Sequence, residues 1–433
     1  MDMRRMIRPQ FQHRLVSAAI AIGLIGYPVS LSADAGSARL ALPQLLAEAR
    51  RVNPDLLAAH KRWEAAQAKV PLAKGLPAPR IGIEFEDIPR GSIKINQATI
   101  LYSLIQSLPF PGKLPLKHAI AVKDAQIAAV AFKQAEWDIM SQLKAVYYDL
   151  FLLDREREIQ EEQLGWLRQA SATAEARYAS GTGTHAEVLE AQARVLSAAN
   201  ALTVLANKRQ AMGAHLNHLL NRSSHEPLGA PAPVALTPLT MSPDELVLTA
   251  QEHQPELLAF QYSAERADTA WRLAKRELLP DLETMVELRD PAMGPFGPWD
   301  LTLAIVLPFW FWTKLRYGVR GALYDKESAQ AAYQAMRNEI AKRIHEHWHE
   351  AQAAYGTARL SREGLIPLGE QAVASAMAGY QGGRDSFTSL LDALQMLSER
   401  QRAYYEALVT VEQHVAMLEQ ATGTELRGVG SRE

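Results

Sequence analysis

Cysteine is missing from all 433 residues of the sequence. Its absence excludes disulfide bonds, thiolate zinc sites, a catalytic cysteine and a lipid anchor on an N-terminal cysteine. Net charge is nearly absent too, because 46 basic residues oppose 48 acidic ones and leave a formal charge of -2. Nucleic-acid binding favours a basic surface. We therefore expect no nucleic-acid partner, and no motif indicates a cofactor.

Long hydrophobic runs are also scarce, and the main one lies at the N-terminus. Residues 1–14 carry four arginines, Leu15–Leu31 is apolar, and Ala33-Asp34-Ala35 offers the small residues that signal peptidase reads. This pattern predicts a secretory signal peptide at residues 1–35. A permanent membrane anchor is the alternative, although the run is slightly short for one. No later apolar run reaches 18 residues, so we expect no transmembrane helix.

The rest of the chain repeats itself. Four landmarks recur at offsets of 199 to 202 residues. They are NPDLL and QPELL at 53–57 and 254–258, LPF at 108–110 and 307–309, YxxG at 178–181 and 380–383, and VLEA and LLDA at 188–191 and 390–393. The segment between the two copies is rich in proline, which is typical of a linker. We predict repeat 1 at 36–225, the linker at 226–243, repeat 2 at 244–423 and a C-terminal tail at 424–433.

Each repeat contains two segments whose apolar residues alternate as in a β-strand. They are Arg80–Ile88 and Ala98–Leu108 in repeat 1, and Asp281–Leu288 and Asp300–Leu307 in repeat 2. Strands of about ten residues suit an outer membrane. Four strands cannot close a barrel, and open edges in lipid leave backbone groups unpaired at several kcal/mol each. Several copies must then share one barrel; the alternative is a soluble α+β protein.

Long helices follow each strand pair. Leu116–Tyr178 contains no proline, and a glycine turn then reverses the chain. In repeat 2 the returning segment carries apolar residues at heptad spacing, which predicts side-by-side helical packing. These residues are Leu390, Leu394, Leu397, Tyr404, Leu408, Val411, Val415 and Leu418. In repeat 1, Val188, Val195 and Leu202 are spaced by seven.

The stretch HEHWH at 345–349 satisfies the H-E-x-x-H signature of zinc proteases. His345 and His349 would share one helix face, with Glu346 as a base, so a secreted zinc hydrolase is the competing hypothesis. The repeat offset places Ala145–Asp149 opposite this stretch, and that segment has no histidine. A solvated helix surface is the simpler interpretation, with adventitious or regulatory metal binding by His345, His347 and His349, mainly at His345 and His349, as a lesser alternative. A purely structural periplasmic coiled-coil protein is a third hypothesis.

These landmarks together resemble the TolC-like outer-membrane efflux proteins over nearly the whole mature chain. LPFPGK at 108–113 and LEQATG at 418–423 are similar to the branch that exports heavy metals, the cobalt–zinc–cadmium and copper–silver systems. The resemblance implies a mainly α fold with four antiparallel strands per chain. Three copies would complete a twelve-stranded outer-membrane barrel, and their helices would form a periplasmic α-barrel.

The same resemblance implies which partners the protein binds and which of its residues have functional roles. The homotrimer would sit in outer-membrane lipid and meet a periplasmic adaptor, or membrane fusion protein, which links it to an inner-membrane resistance-nodulation-division pump. Such a duct catalyses no reaction. Gly181, Gly183, Gly382 and Gly383 would form the adaptor-docking tip. Glu187, Asp392 and Tyr380 would form the periplasmic gate, although Ser389 stands where repeat 2 should carry a second acid.

Overall fold

A computed structural model describes residues 39–86, 98–289, 299–309 and 314–426. The predicted signal peptide, Ile88 and most of the predicted tail lie outside the described residues. The elements, in chain order, are α1 (Leu42–Val52), α2 (Pro54–Leu72), β1 (Arg80–Glu86), β2 (Thr99–Leu108), α3 (Lys113–Ala179), α4 (His185–Leu219), α5 (Pro243–His253), α6 (Pro255–Arg276), β3 (Asp281–Arg289), β4 (Trp299–Val306), α7 (Lys314–Leu360), a π-helical segment (Ser361–Leu365), α8 (Ile366–Gln381) and α9 (Phe387–Thr422).

The described elements fall into two copies of one arrangement. Each copy has two short helices, two strands, a long outgoing helix and a returning helix. In repeat 2 the outgoing helix is interrupted by the π-helical segment just before Pro367, a residue that has no backbone N–H to donate. Within the described residues, no helix combines the length and apolar character needed to cross a bilayer.

The four predicted strands form one antiparallel sheet in the order β1-β2-β3-β4. Strands β2 and β3 join the repeats, with Leu104 opposite Val286. Strands β1 and β4 are the two edges, and each is paired on one side only within the described residues. The sheet is therefore open.

One face of this sheet is apolar and exposed. Cross-strand partners share a face, so Ile81, Leu104, Val286 and Leu301 form one row across all four strands. All four side chains in this row are exposed. The opposite face carries mostly polar residues, for example Glu84, Ser103 and Glu287 among their neighbours. The apolar face is thus not covered by the helices.

The helical region before β1 is divided at Asn53, because the following proline disfavours a helical backbone at that residue. The Asn53 side chain caps α2 by accepting from the amides of Asp55 and Leu56, and it donates to the carbonyl of Leu219 at 2.9 Å. Gln254 does the same in repeat 2, capping α6 and donating to the carbonyl of Gln420 at 3.4 Å. Each contact spans 166 residues, so each repeat is tied to itself in the same way.

The LPFPGK segment occupies the junction between sheet and helices. Lys113 is buried, and its Nζ donates to the carbonyl of Leu279 at 2.9 Å and to Asp281 Oδ1 at 2.8 Å. Gly112 has a φ of 95°, and Arg276 lies where its side chain would be. The motif therefore connects the start of α3 to the start of β3.

The heptad seam of α9 is confirmed by burial. Seven of its eight predicted residues are buried and Tyr404 is half-buried. They pack in separate clusters along the helix. The cluster near the Gly383 turn includes residues of α3, α4 and α8, and two clusters nearer the C-terminal end of α9 include residues of α1 and α3, and of α5 and α7. In repeat 1, Val188 is buried while Val195 and Leu202 are half-buried.

Candidate gate and docking tip

Two turns of matching shape form one end of the helical part. In the first, which joins α3 to α4, Gly181 has a φ of 74°, and in the second, between α8 and α9, Gly383 has a φ of 73°. This left-handed conformation is one that glycine adopts without strain. The predicted tip glycines Gly181 and Gly383 are therefore equivalent positions, 202 residues apart.

The hydrogen bonds of the two turns also correspond. The carbonyl of Arg177 accepts from the amides of Thr182 and Gly183 at 2.9 and 3.0 Å. The carbonyl of Gly379 accepts from the amides of Arg384 and Asp385 at 2.8 and 3.2 Å. The same offset of 202 residues relates both sets. The backbone of the tip is thus duplicated.

In each turn two chain segments approach closely at a glycine, but the glycine comes from opposite segments in the two turns. In the first turn a Cβ on Gly183 would lie 3.0 Å from Arg177 Cβ and 3.2 Å from backbone atoms. In the second turn the glycine is Gly379, whose Cβ would overlap the Asp385 carboxylate. One residue of each pair must therefore be glycine. The remaining predicted tip glycine, Gly382, has a φ of -79°, which any residue can adopt.

Hydroxyl residues begin the two returning helices. Thr184 Oγ1 accepts from the amide of Glu187 at 3.2 Å, and Ser386 Oγ accepts from the amide of Ser389 at 3.1 Å. The Ser389 hydroxyl lies 2.9 Å from that of Ser386. The serine that replaces an acid in repeat 2 is therefore part of the helix cap.

Arg177 connects the two turns. Its Nη1 donates to the backbone carbonyl of Tyr380 at 2.8 Å, and its guanidinium lies 5.0 Å from the centre of the Tyr380 ring. Its Nη2 donates to the carbonyl of Thr182 at 3.3 Å in its own turn. Nothing in the local sequence pattern distinguishes Arg177 from other helix-surface arginines.

Two of the predicted gate residues lie together. Tyr380 is 1% exposed and half-buried Glu187 lies beside it. Burial raises the pKa of the Tyr380 hydroxyl, and the Glu187 charge raises that pKa further. Glu187 Oε2 and the Tyr380 hydroxyl oxygen are both buried, and apart from each other neither has a described hydrogen-bond partner.

The third predicted gate residue lies apart from this pair. Asp392 is exposed on α9, and it forms no hydrogen bond or ion pair with any residue that the structure describes. Its counterpart in repeat 1, Glu190, pairs with Arg194 at 3.6 Å. The predicted gate residues are thus a half-buried acid beside a buried tyrosine, and a separate exposed acid.

The HEHWH stretch lies on α7, far along the chain from the tip. The rings of His345 and His349 stack at 6.4 Å. Across the described residues, no third ligand joins this pair in a group that could hold a metal. The geometry therefore gives no support to the zinc-hydrolase hypothesis.

A different histidine of the same stretch has partners. His347 and Glu350 on α7 face His414 on α9. Burial, together with His347, lowers the pKa of His414, and Glu350 acts in the opposite direction. The sequence around His414 carries no metal-binding motif, because its partners lie on another helix more than 60 residues away.

Comparison with known proteins agrees with this architecture. The family model described as "Outer membrane efflux protein" matches residues 45–222 and 246–424. The cobalt-zinc-cadmium resistance protein CzcC of Cupriavidus metallidurans is 21% identical over 387 residues, covering 86% of this chain and 89% of that protein.

Solved structures share the fold. The outer membrane protein VceC of Vibrio cholerae superimposes with a TM-score of 0.76 at 19% identity, covering 89% of this chain and 97% of that one. The channel protein CusC does so with a TM-score of 0.76 at 16% identity, covering 91% and 96%. Because the family model matches both repeats almost completely, the chain belongs to the outer membrane efflux protein family.

Proposed function

We propose that this protein is the outer-membrane channel of a tripartite efflux system and acts as a passive export duct. Three copies form the channel, with the sheets in the outer membrane and the helices in the periplasm. A periplasmic adaptor and an inner-membrane pump of the resistance-nodulation-division type complete the system. The observation that carries the proposal is the open sheet with one exposed apolar face.

The faces of the sheet suit a barrel wall in lipid. A transmembrane barrel directs apolar side chains outward and polar ones toward the lumen. The row Ile81, Leu104, Val286 and Leu301 would contact lipid, while Glu84, Ser103 and Glu287 would face water. A soluble monomer would instead leave this apolar face exposed to water, which is unfavourable for a patch of this size.

The edges of the sheet argue for several copies. In hydrocarbon, each unpaired backbone group costs several kcal/mol, so β1 and β4 must find partners. If β4 of one copy pairs with β1 of the next, the sheet closes without any further segment. Three copies of this four-stranded sheet give a barrel of twelve strands, within the range of known barrels.

The missing cysteines make this pairing directly testable. We would combine Glu84→Cys on β1 with Thr302→Cys or Ala304→Cys on β4, and treat membranes with a short thiol cross-linker. All three positions lie on the polar face. We expect covalent species of two and three chains on denaturing gels and none larger, in the outer-membrane fraction.

A matched control uses two strands of one chain. Ser103 and Glu287 are directly opposite on β2 and β3, so Ser103→Cys with Glu287→Cys should cross-link only within the monomer. If the edge pairs also yielded only monomer, or the protein were recovered from the periplasm without detergent, the proposed channel would be wrong.

The gate of the duct would lie at the tip and would be formed by Glu187, Tyr380 and Asp392. Arg177 connects the two turns through its hydrogen bond to Tyr380. Rings of carboxylates at a constriction favour cations. In planar bilayers, Glu187→Gln and Asp392→Asn should each reduce the preference for cations over anions. Glu161→Gln is the control, because Glu161 pairs with Arg157 on a charged, exposed helix face.

The tip would also be the adaptor-docking surface. Its turns contain Gly181, Gly183, Gly382 and Gly383, and apolar Leu189 and Leu196 lie exposed on the adjoining face of α4. A neighbouring cavity of about 420 Å³ between α3 and α4 is lined by Arg168, Glu175 and Gln192 among others. Leu196→Glu should weaken copurification of an adaptor, whereas the same change at exposed Leu57 on α2 should not.

Heavy-metal cations are the cargo we propose, with drugs as the alternative. The similarity to a cobalt-zinc-cadmium resistance protein supports metals. A strain lacking the gene should become sensitive to cobalt, zinc, cadmium, copper or silver salts, and a plasmid copy should restore growth. Sensitivity restricted to drugs would overturn the metal assignment while leaving the duct intact.

A further inference from the structure

Three side chains with metal-binding atoms meet between α7 and α9. The Nδ1 atoms of His347 and His414 are 3.3 Å apart. Glu350 Oε2 lies 3.3 Å from His414 Nδ1 and 3.7 Å from His347 Nδ1. The three atoms thus form a nearly equilateral triangle.

This triangle has the dimensions of one face of a tetrahedral zinc site. Zinc binds imidazole nitrogen and carboxylate oxygen at about 2.0–2.2 Å, so tetrahedral ligand atoms lie roughly 3.4 Å apart. A single point about 2 Å from all three atoms therefore exists. Two imidazoles with one carboxylate suit zinc, cobalt or copper better than magnesium or calcium.

The surroundings leave room for a fourth ligand. The His414 and His347 side chains are 17% and 26% exposed, whereas that of Glu350 is 58% exposed. His347 also lines a cavity of about 310 Å³ whose wall includes Asp138, Arg343 and Gln420. Water can therefore reach the triangle and complete the coordination.

The positions of the ligands are held by their helices. His347 and Glu350 are three residues apart on α7 and so share one face of that helix. The neighbouring Trp348 donates from its Nε1 to the carbonyl of Met241 at 2.9 Å, which fixes the rotation of α7 against the linker. This leaves His345 and His349 on a different face from the triangle.

We propose that His347, Glu350 and His414 bind one zinc-type divalent ion, with water as the fourth ligand, and that this ion clasps α7 to α9. The site belongs to repeat 2 alone, because the corresponding stretch of repeat 1, Ala145–Asp149, has no histidine. The clasp is independent of what the channel exports, since the ion is held between two helices of one chain.

The test is direct titration of chelator-stripped, full-length mature protein that carries no histidine tag. Zinc titrated by calorimetry should bind at one ion per chain, and cobalt should give the intense visible absorption of tetrahedral coordination. Magnesium should give neither signal. His414→Ala and His347→Gln should each weaken zinc binding about tenfold or more, since ligand-set changes have effects of this size or larger.

His349→Ala is the matched control, because it removes a histidine of the same helix outside the triangle. It should leave zinc affinity and the cobalt spectrum unchanged. Zinc should also raise the unfolding temperature of the unmodified protein and of His349→Ala, but not of His414→Ala. Unchanged affinity in both His414→Ala and His347→Gln, or loss of binding in His349→Ala, would overturn the proposed clasp.

Discussion

The two turns at the tip have the same backbone and different side chains. The first pairs a large Arg177 with Gly183, and the second pairs Gly379 with a larger Asp385. In both, one carbonyl accepts from two amides and a glycine adopts a positive φ. What must be kept is thus the closeness of two chain segments, and either segment can supply the glycine.

Because the glycine lies on opposite segments, the two turns should differ in how well they tolerate substitution. In the second turn the neighbour of the glycine is a side chain, Asp385, whereas in the first turn it includes the backbone of Arg177 and Tyr178. A side chain can move or be removed, but a backbone cannot. The first turn should therefore tolerate fewer changes than the second.

The largest effect should come from Gly183→Val. Its Cβ would lie 3.0–3.2 Å from Arg177 Cβ and neighbouring backbone atoms, and overpacking of this kind costs roughly 2–3 kcal/mol. Hydrogen exchange of the Thr182 amide should become about 30-fold faster or more. Gly165→Val is the control, because nothing lies within 4 Å of a Cβ there. Equal exchange in both variants would contradict the tight approach.

Arg177→Met should come next, and its effect should fall on the other turn. The change removes the hydrogen bond to the Tyr380 carbonyl and the contact with its ring, together about 1–2 kcal/mol. Exchange should accelerate at Arg384 and Asp385 in the second turn. Arg168→Met, on the same helix, should not change exchange there. Faster exchange confined to α3 would show that Arg177 acts only within its own helix.

Gly379→Ala should destabilise the second turn by about 1–2 kcal/mol, because the added methyl group meets Asp385. Adding Asp385→Gly should restore stability, since alanine is the better helix former once the contact is gone. In the first turn, Gly183→Ala with Arg177→Gly should restore less stability, because Arg177→Gly also removes the hydrogen bond to the Tyr380 carbonyl. Amide exchange of Arg384 and Thr182 measures both cases; equal rescue would remove the asymmetry between the turns.

The smallest and most symmetrical effect concerns the helix caps. Thr184→Ala and Ser386→Ala each remove one bond to a helix amide, and such caps contribute about 1 kcal/mol. The exchange of the Glu187 and Ser389 amides should accelerate by similar factors in the two variants. A clearly larger effect at one cap would mean that the two returning helices do not begin in the same way.

Patterns with a period could be predicted from the sequence. The alternation in the four strands and the heptad spacing of α9 both identified which residues share a face, and the open sheet and buried seam confirm them. The division of the first helical stretch at Asn53 was also recoverable, because a residue before proline rarely continues a helix. In predicting the domains, however, the NPDLL motif served only as a landmark of the repeat.

Contacts between distant helices could not be predicted in this way. His414 has no neighbouring histidine in the sequence, and its partners come from α7. The HEHWH stretch directed attention to His345 and His349, four residues apart, whereas the structure brings together a pair three residues apart. Arg177 likewise acts on a turn about 200 residues away. Only packing determines which faces of two helices meet.

The contacts that join distant segments of the chain bear on the order in which the two repeats are connected. Asn53 and Gln254 bind their own repeats' returning helices, Leu40 pairs with Pro231 in the linker, and Arg50 lies 3.5 Å from Glu425. The described beginning and end of the chain are therefore neighbours. A circular permutant that starts in the linker and joins the old termini by a short peptide would keep every one of these contacts. These contacts therefore do not depend on which repeat comes first along the chain.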